Sequence, residues 1–374
     1  MNLYLTELVR YLAAQSWQIA VLTLVVAGAT WALRHKTAHI RYLLWLIVLA
    51  KCLVPPFFAV PLRVLPEKTA SRAITETPAA EPAPIKAEST PTASIPPSRP
   101  PAVVEPGRVE QVKPSRVEDR PSRPLDLRLC AGIAWIAGAG LYLAMNLLRA
   151  LRGRYWLHAR RRPLPDAIRK ETETLLSIPG RRPVPPIWVI DEIGQPFVWG
   201  LLRGSIYVPS HFLKIGDRTH RRHVLAHELS HVLRCDAAVN ALQTLAQGLF
   251  WFHPFVWWAN REIRREREKC CDEMAVARLG TEPREYCHAV VETLASAETS
   301  TRPVPSLAVA GPARNLEERI KTMLKPGRQF YRRPSGPAAL VVLLTAILIV
   351  PTAVVLTVRA RAEGQTSEEK ATFE

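Results

Sequence analysis

Two histidines four residues apart, with a glutamate after the first, make His227-Glu228-Leu229-Ser230-His231 the stretch of this chain best equipped for chemistry. On a helix, residues i and i+4 lie roughly 5–6 Å apart on one side, so both imidazoles can reach one ion. Glu228 then stands beside them, placed to act on a metal-bound water instead of binding the metal. A catalytic zinc takes three protein ligands and keeps a fourth position open, so a third ligand has to come from elsewhere. The segment Arg261 to Leu279 reads as a second helix, rich in Arg and Glu and closed by Gly280. It carries Glu268 and Asp272, again i,i+4 neighbours. One of these carboxylates can bind the ion while the other orients a ligand histidine through its free ring N–H. The bland alternative is two more charges on a solvated face that already holds Glu262, Glu266 and Glu273.

Cys270 and Cys271 share that helix, and thiolates bind zinc well. Residues two or three along from a ligand face other directions, however, and no Cys-x-x-Cys pair completes a four-thiolate site. The six cysteines, Cys52, Cys130, Cys235, Cys270, Cys271 and Cys287, show no disulfide-framework spacing. Around the zinc motif the pattern predicts short strands near Pro186–Ile190 and Ser205–Pro209. Helices are expected at about Arg218–Cys235, Ala237–Phe252, Pro254–Leu279 and Pro283–Ala297. The aromatic run Leu249 to Trp258 fits an apolar core hairpin or a membrane-dipping element; we read it as an interfacial wedge holding the zinc site near a bilayer.

Several motifs together resemble the BlaR/MecR antirepressor family of integral-membrane zinc metallopeptidases, of gluzincin type. They are His227-Glu228-x-x-His231 with Arg234-x-Asp236, His253-Pro254-x-x-Trp257, and Arg267-Glu268-x-x-Cys271-Asp272. Gln195 to Arg203 followed by Ile206 to Pro209 also looks like that family's strand pair, and Pro305-Ser306-Leu307 with Leu316-x-x-Arg319-Ile320 adds to it. The resemblance covers most of residues 1–358, with its specific core at about 186 to 325. It implies one zinc ion held by His227, His231 and Glu268, with Glu228 catalytic and Asp272, Asp236 and Arg234 around the ligands. Family members usually carry asparagine where His253 stands.

Four segments are long and apolar enough to cross a bilayer: roughly Leu12–Leu33, Ile40–Val60, Leu129–Leu148 and Pro337–Val358. The first lacks a basic leader and a small-residue cleavage site, which reads against a signal peptide. Arginine and lysine fall in the loop Arg34 to Arg41 and at both ends of Arg149 to Gly336, so these belong in the cytosol and both termini outside. The expected fold is a mainly α membrane protein with four transmembrane helices and a cytosolic α+β zinc protease domain between spans three and four. The divisions are 1–62, two spans with a short basic loop; 63–128, an extracytoplasmic linker; 129–151, the third span; 152–336, the peptidase domain; 337–358, the fourth span; and 359–374, a short outer tail. The linker is rich in proline without aromatic residues or periodicity, and reads as a disordered tether with polyproline character. The location is a bacterial-type inner membrane.

A formal charge of +17 and an isoelectric point near 10.1 raise the question of nucleic acid. Most of the basic excess flanks the spans or lies on the Arg261–Lys269 stretch, where topology, anionic lipid and ion pairs explain it. No recognition helix or aromatic-stacking motif accompanies it, so no direct nucleic-acid partner is expected. The expected activity is metal-assisted peptide hydrolysis, with a substrate strand paired along Gly204, Ser205, Ile206, Tyr207 and Val208. Tyr286, His288 and His253 are alternatives for stabilising the carbonyl oxygen. The resemblance implies signalling by self-cleavage or inactivation of a winged-helix repressor. A basic stretch at Arg328–Arg333 motivates self-cleavage, and no β-lactam sensor is expected in Arg359 to Glu374. Two other readings share these residues: a quality-control or processing protease of the Ste24/HtpX kind, and a non-enzymatic membrane scaffold.

Overall fold

The computed structural model describes residues 2–55, 58–63, 127–176, 185–201, 203–214, 217–297 and 315–357. In order, the chain forms α1 (Asn2–Ala32), α2 (Ala38–Leu53), β1 (Phe58–Arg63), α3 (Leu127–Arg160), β2 (Arg162–Pro163) and α4 (Asp166–Leu176). There follow β3 (Ile187–Ile190), β4 (Phe197–Trp199), β5 (Ser205–Pro209), α5 (Ser210–Lys214) and α6 (Arg218–Leu233). The last elements are α7 (Asp236–Leu249), α8 (Pro254–Leu279), α9 (Pro283–Ala297), α10 (Leu316–Met323), α11 (Gly336–Ile349) and β6 (Thr352–Thr357). The linker, apart from its first and last residues, the Pro305–Leu307 motif and the tail lie outside the described residues.

Two helices, α1 from Leu8 and α3, are long and apolar enough to cross a membrane. The other two expected spans differ from expectation. α2 has 16 residues and α11 has 14, about 24 and 21 Å at the rise of a helix, short of the roughly 30 Å of a hydrocarbon core. Each helix gives way at proline, Pro55-Pro56 after α2 and Pro351 after α11, and continues as a strand. Proline removes a donor and disfavours helix in the residue before it, while Thr352 to Thr357 is largely β-branched. The two strands, β1 and β6, then pair in parallel from Phe58 with Thr352 to Arg63 with Thr357. Pairing satisfies backbone groups that unwinding would otherwise leave bare in an apolar medium. α3 also runs past its expected end, so Arg149, Arg152 and Arg154 ride on helix and not on a loop.

The α7–α8 hairpin packs among the apolar helices. Phe250, Val256, Ala259 and Ile263 share one core with Leu12, Ile19 and Val26 of α1 and Trp45 and Leu49 of α2. His253, at the hairpin tip, bonds the Ser16 carbonyl at 3.0 Å, 16 residues before the end of α1 and so about 24 Å along it. Trp135 Nε1 donates to the Leu249 carbonyl at 2.7 Å, and Trp257 and Trp258 meet Tyr142 and Trp45 edge-on. The aromatic run therefore packs against the middle of α1 and against α3. Close approach needs small residues: a Cβ on Gly138 would sit 2.5 Å from the Trp251 ring, and one on Gly248 equally close to Leu143.

The sheet order is β2-β3-β5-β4, with β3 and β5 parallel and the outer pairs antiparallel. Val189, Val198, Ile206 and Val208 pack onto Val224, Leu225 and Leu229 of α6. Gly200 has φ 122, a conformation only glycine adopts easily, and starts the turn from β4 to β5. This topology corrects one expectation. Residues Ser205, Ile206, Tyr207 and Val208, just after Gly204, belong to an interior strand paired on both sides, so they present no edge to a substrate. The edge strands are β2 and β4, and β4 is the one beside β5.

Replacing Gly138 by Val should drive a branched side chain into the Trp251 indole and destabilise the protein by about 1–3 kcal/mol. Thermal unfolding in detergent, read on tryptophan fluorescence, checks this; an unchanged midpoint would contradict the hairpin's packing against α3.

Candidate metal centre

Asp217 caps α6, its Oδ1 accepting from the Thr219 N–H at 2.8 Å. With Val224, Leu225 and Leu229 turned into the sheet, the 3.6-residue period puts His227 and His231 on the opposite side, facing α8. Pro254 starts α8 at its first turn, and Gly280 ends it in the left-handed conformation at φ 63. Glu268 lies midway along, with no exposed surface.

The three expected ligands converge. Glu268 Oε2 is 3.5 Å from His227 Nε2 and 3.9 Å from His231 Nε2, and the donor atoms all fall within 4.8 Å of one another. The two rings stand 4.9 Å apart, nearly perpendicular at 85°. Each ring turns its other nitrogen outward. His231 Nδ1 bonds Asp236 Oδ2 at 2.8 Å, while His227 Nδ1 meets the Tyr286 hydroxyl at 2.9 Å and Asp272 Oδ1 at 3.2 Å. Carboxylates behind Nδ1 orient both rings so that their Nε2 atoms point toward Glu268. Asp236 is held in turn by Arg234 Nε and the Tyr42 hydroxyl, both at 3.4 Å.

Neither oxygen of the buried Glu268 carboxylate has a hydrogen-bond partner. Burial pushes its pKa up, but His231, His227, Arg319 and Arg267 outweigh that and hold it well below the usual carboxylate range. An ionised, fully buried carboxylate without donors, facing two imidazole lone pairs, fits a divalent cation. Glu228 lies beside the three, also buried, with Oε2 unpartnered. Burial raises its pKa against the pull of His231 and His227, which suits a group that takes up and returns a proton near neutral pH.

Cys271 also approaches His231, its Sγ 3.3 Å from Nδ1 and 3.5 Å from Asp236 Oδ2. Burial lifts this thiol well above its ordinary value, so it stays protonated behind the ring. All six cysteines are free.

Glu228, His227, Val224, Gln195, Pro196 and Arg319 line a cleft of about 50 Å³. Of the three side chains considered for the carbonyl oxygen, none takes that place. Tyr286 is buried behind His227 and donates to Asp272 Oδ1 at 2.7 Å. His253 is at the hairpin tip, and the side chain of His288 is 83% exposed, near Glu292. The residue that sequence reading passed over is Arg319. It clamps Asp272 through Nε at 2.8 Å and Nη2 at 2.7 Å. Its only signal was the Leu316-x-x-Arg319-Ile320 motif, which says nothing of where the side chain reaches.

Two histidines and a glutamate from two packed helices, with a second glutamate beside them and carboxylates behind the rings, make up a candidate metal centre. The model of the BlaR1 peptidase M56 family matches residues 11–323, and the chain belongs to that family. The methicillin resistance mecR1 proteins of Staphylococcus aureus and Staphylococcus epidermidis are 26% identical to it over 144 residues, 37% of this chain and 25% of theirs. The regulatory protein BlaR1 of Bacillus licheniformis is 32% identical over 80 residues, 21% of this chain and 13% of its own. The matched stretch thus spans a quarter or less of these relatives' length.

Burial alone would depress His227, but the Asp272 and Glu268 carboxylates beside its two ring nitrogens outweigh it and raise the imidazole to about 9. That pairing stabilises the metal-free fold below the ordinary value of 6.5 and is lost as pH rises through about 9. A metal competes for the same nitrogen, so its affinity should climb about tenfold per pH unit up to that point. Calorimetry of zinc binding at pH 7.5 in two buffers of different ionisation enthalpy should show about one proton released. No release would contradict a protonated His227.

Proposed function

We propose that this chain is a membrane-embedded zinc metalloendopeptidase that hydrolyses peptide bonds at the cytosolic membrane face. The observation that carries the reading is the convergence of His227 Nε2, His231 Nε2 and the unpartnered Glu268 carboxylate beside Glu228. His227, His231 and Glu268 would hold the zinc, which would serve as a Lewis acid and lower the pKa of water from 15.7 toward about 7. Glu228 takes the proton of the attacking water and returns it to the leaving amine. Asp236 and Asp272 fix the ring orientations, and Arg234, bonded to Asp236, keeps the first of these in place. A peptide lying antiparallel to the open edge of β4 would bring its backbone past Gln195 and Pro196 to the cleft, with sequence selectivity left modest.

Ion pairs support this facing. Arg41, in the basic region at the α1–α2 turn, bonds Glu266 of α8 at 2.8 Å, and the Ala38 N–H reaches Glu273 at 3.3 Å. These contacts favour one side of the membrane for the turn and the metal-bearing half of α8, and the excess of arginine there favours the cytosol. On this reading the peptidase portion is 152–336, with the termini and the 63–128 linker outside, and membrane lipid surrounds the apolar helices. The names of the relatives, a regulatory protein and methicillin resistance proteins, support a signalling role in which the substrate is a winged-helix repressor, the protein itself, or both. The Arg328–Arg333 stretch before α11 stays largely exposed, anchored by Arg328 on Glu273 and Arg332 on the Ala277 carbonyl.

Purified full-length protein is expected to hold one zinc. Glu228→Gln should keep the ion and lose peptide cleavage by at least about 100-fold, whereas Glu268→Ala should lose the ion on dialysis. Intact mass of wild type beside Glu228→Gln reads self-cleavage directly. Equal cleavage by wild type and Glu228→Gln would sink the reading.

A further inference from the structure

The cleft beside Glu228 contains one cation that the proposed mechanism has not used. Arg319 lies on α10, a helix of 8 residues, too short to hold its place by helical propensity alone. It is fixed from both sides. Glu318 takes Lys269 Nζ at 2.7 Å and Arg265 Nη2 at 2.5 Å, both on α8. Lys269 also bonds Glu266, which carries Arg41 of α2. The next residue, Arg319, is 4% exposed and spends Nε and Nη2 on Asp272. That fork leaves the third nitrogen, Nη1, outside the clamp. It stands 3.9 Å from Glu268 Oε2, while the side chain lines the cleft with Glu228 and His227.

A guanidinium held in this way is a preorganised donor. Two of its three nitrogens set the plane, and a nearby buried carboxylate keeps it charged. Attack of water on a peptide carbonyl places negative charge on the carbonyl oxygen, and a fixed donor in a site sheltered from water stabilises that charge more than it stabilises the substrate. Tyr286, His288 and His253 are all turned to other partners. We propose that Arg319 is a catalytic residue, its Nη1 donating to the scissile carbonyl oxygen while Nε and Nη2 stay on Asp272. This rests on the peptidase reading above.

The competing role is purely structural: through Asp272, Arg319 would only hold His227. The two separate in Arg319→Lys, which keeps a cation beside Asp272 but cannot serve the clamp and the carbonyl together. Tyr286→Phe is the comparator, because it loosens Asp272 and His227 without touching the cleft. The probes are zinc alone, a fluorogenic casein peptide and a phosphonate peptide carrying the tetrahedral oxygens of the attacked carbonyl, all on full-length protein in detergent. Arg319→Lys should bind zinc within about threefold of wild type and lose about 100-fold in kcat/KM. The phosphonate should weaken in parallel, while Tyr286→Phe loses less than about tenfold in rate. Zinc affinity falling with the rate in Arg319→Lys, or phosphonate affinity unchanged, would overturn the proposal. Wild type that neither binds zinc nor cleaves would instead remove the peptidase reading beneath it.

Discussion

One ionised carboxylate, sealed between two helices, governs the layout of this molecule. Taking a carboxylate out of water costs several kcal/mol even after the protein relaxes, and Glu268 accepts no hydrogen bond to offset it. What offsets it is positive charge drawn in from several elements. Arg267 comes from its own helix at 3.5 Å and Arg319 from α10 at 3.9 Å, with the two imidazoles of α6 facing the same carboxylate. Arg319 and the two imidazoles are themselves secured by carboxylates, because an unpaired buried charge is costly in its turn. Asp272 and Asp236 exist in this arrangement as the second layer of that compensation, and Tyr286, Arg234 and Tyr42 as the third. A divalent ion bound where the innermost groups converge would complete the balance.

The same helix that carries Glu268 is also the main contact between the apolar layer and the polar one. The first half of α8, Val256 to Ile263, is packed with α1 and α2, and its second half holds the site and its salt bridges. A helix is stiff over this length, so α8 cannot shift in one layer without moving Glu268 in the other. α2 is bound to it along the way, by Trp45 against Trp258, Arg41 against Glu266 and the Ala38 N–H on Glu273. Glu266 is one turn from Lys269, and Lys269 holds Glu318, so the chain of charges runs from the α1–α2 turn to α10 without a break. These pairs are largely buried and thus little screened by salt.

How much of this was legible in the residues divides along the range of the interactions. His227, Glu228 and His231 sit within one helical turn, and the i,i+4 rule that places them needs nothing beyond that turn. Helices α6 to α9 and strands β3 and β5 followed from caps, Gly280 and local apolar runs. The pairing of Glu268 with that turn is nonlocal and came from a motif match, not from a rule of spacing. Arg319 was illegible because nothing near it in sequence shows that it crosses to α8. The edge of the sheet was misplaced for a related reason. β5 has the apolar, β-branched look of a good strand because it is interior, and the three-residue β4 that shields it gives a weak signal. Apolarity also overstated α2 and α11, since hydropathy counts residues without distinguishing helix from the strands that Pro55 and Pro351 start.

Those two broken helices place a constraint on how the membrane layer can be built. Once α2 and α11 unwind at their prolines, their exposed backbone groups need partners, and in an apolar medium only protein can supply them. β1 and β6 do so for each other. Lys51, 2% exposed at the end of α2, adds donors to the Val350 and Thr352 carbonyls where α11 gives way, and Gln15 of α1 bonds the Lys51 carbonyl at 2.7 Å. A lysine at this depth is costly unless its ammonium is saturated, and the carbonyls freed by Pro351 are what saturate it. The two defects are therefore mutually dependent: the break in α11 leaves carbonyls that require a donor, and the buried lysine of α2 requires acceptors. Restoring a continuous helix in α11 would leave Lys51 unpaired, so the short helix and the buried charge can only be retained or lost together.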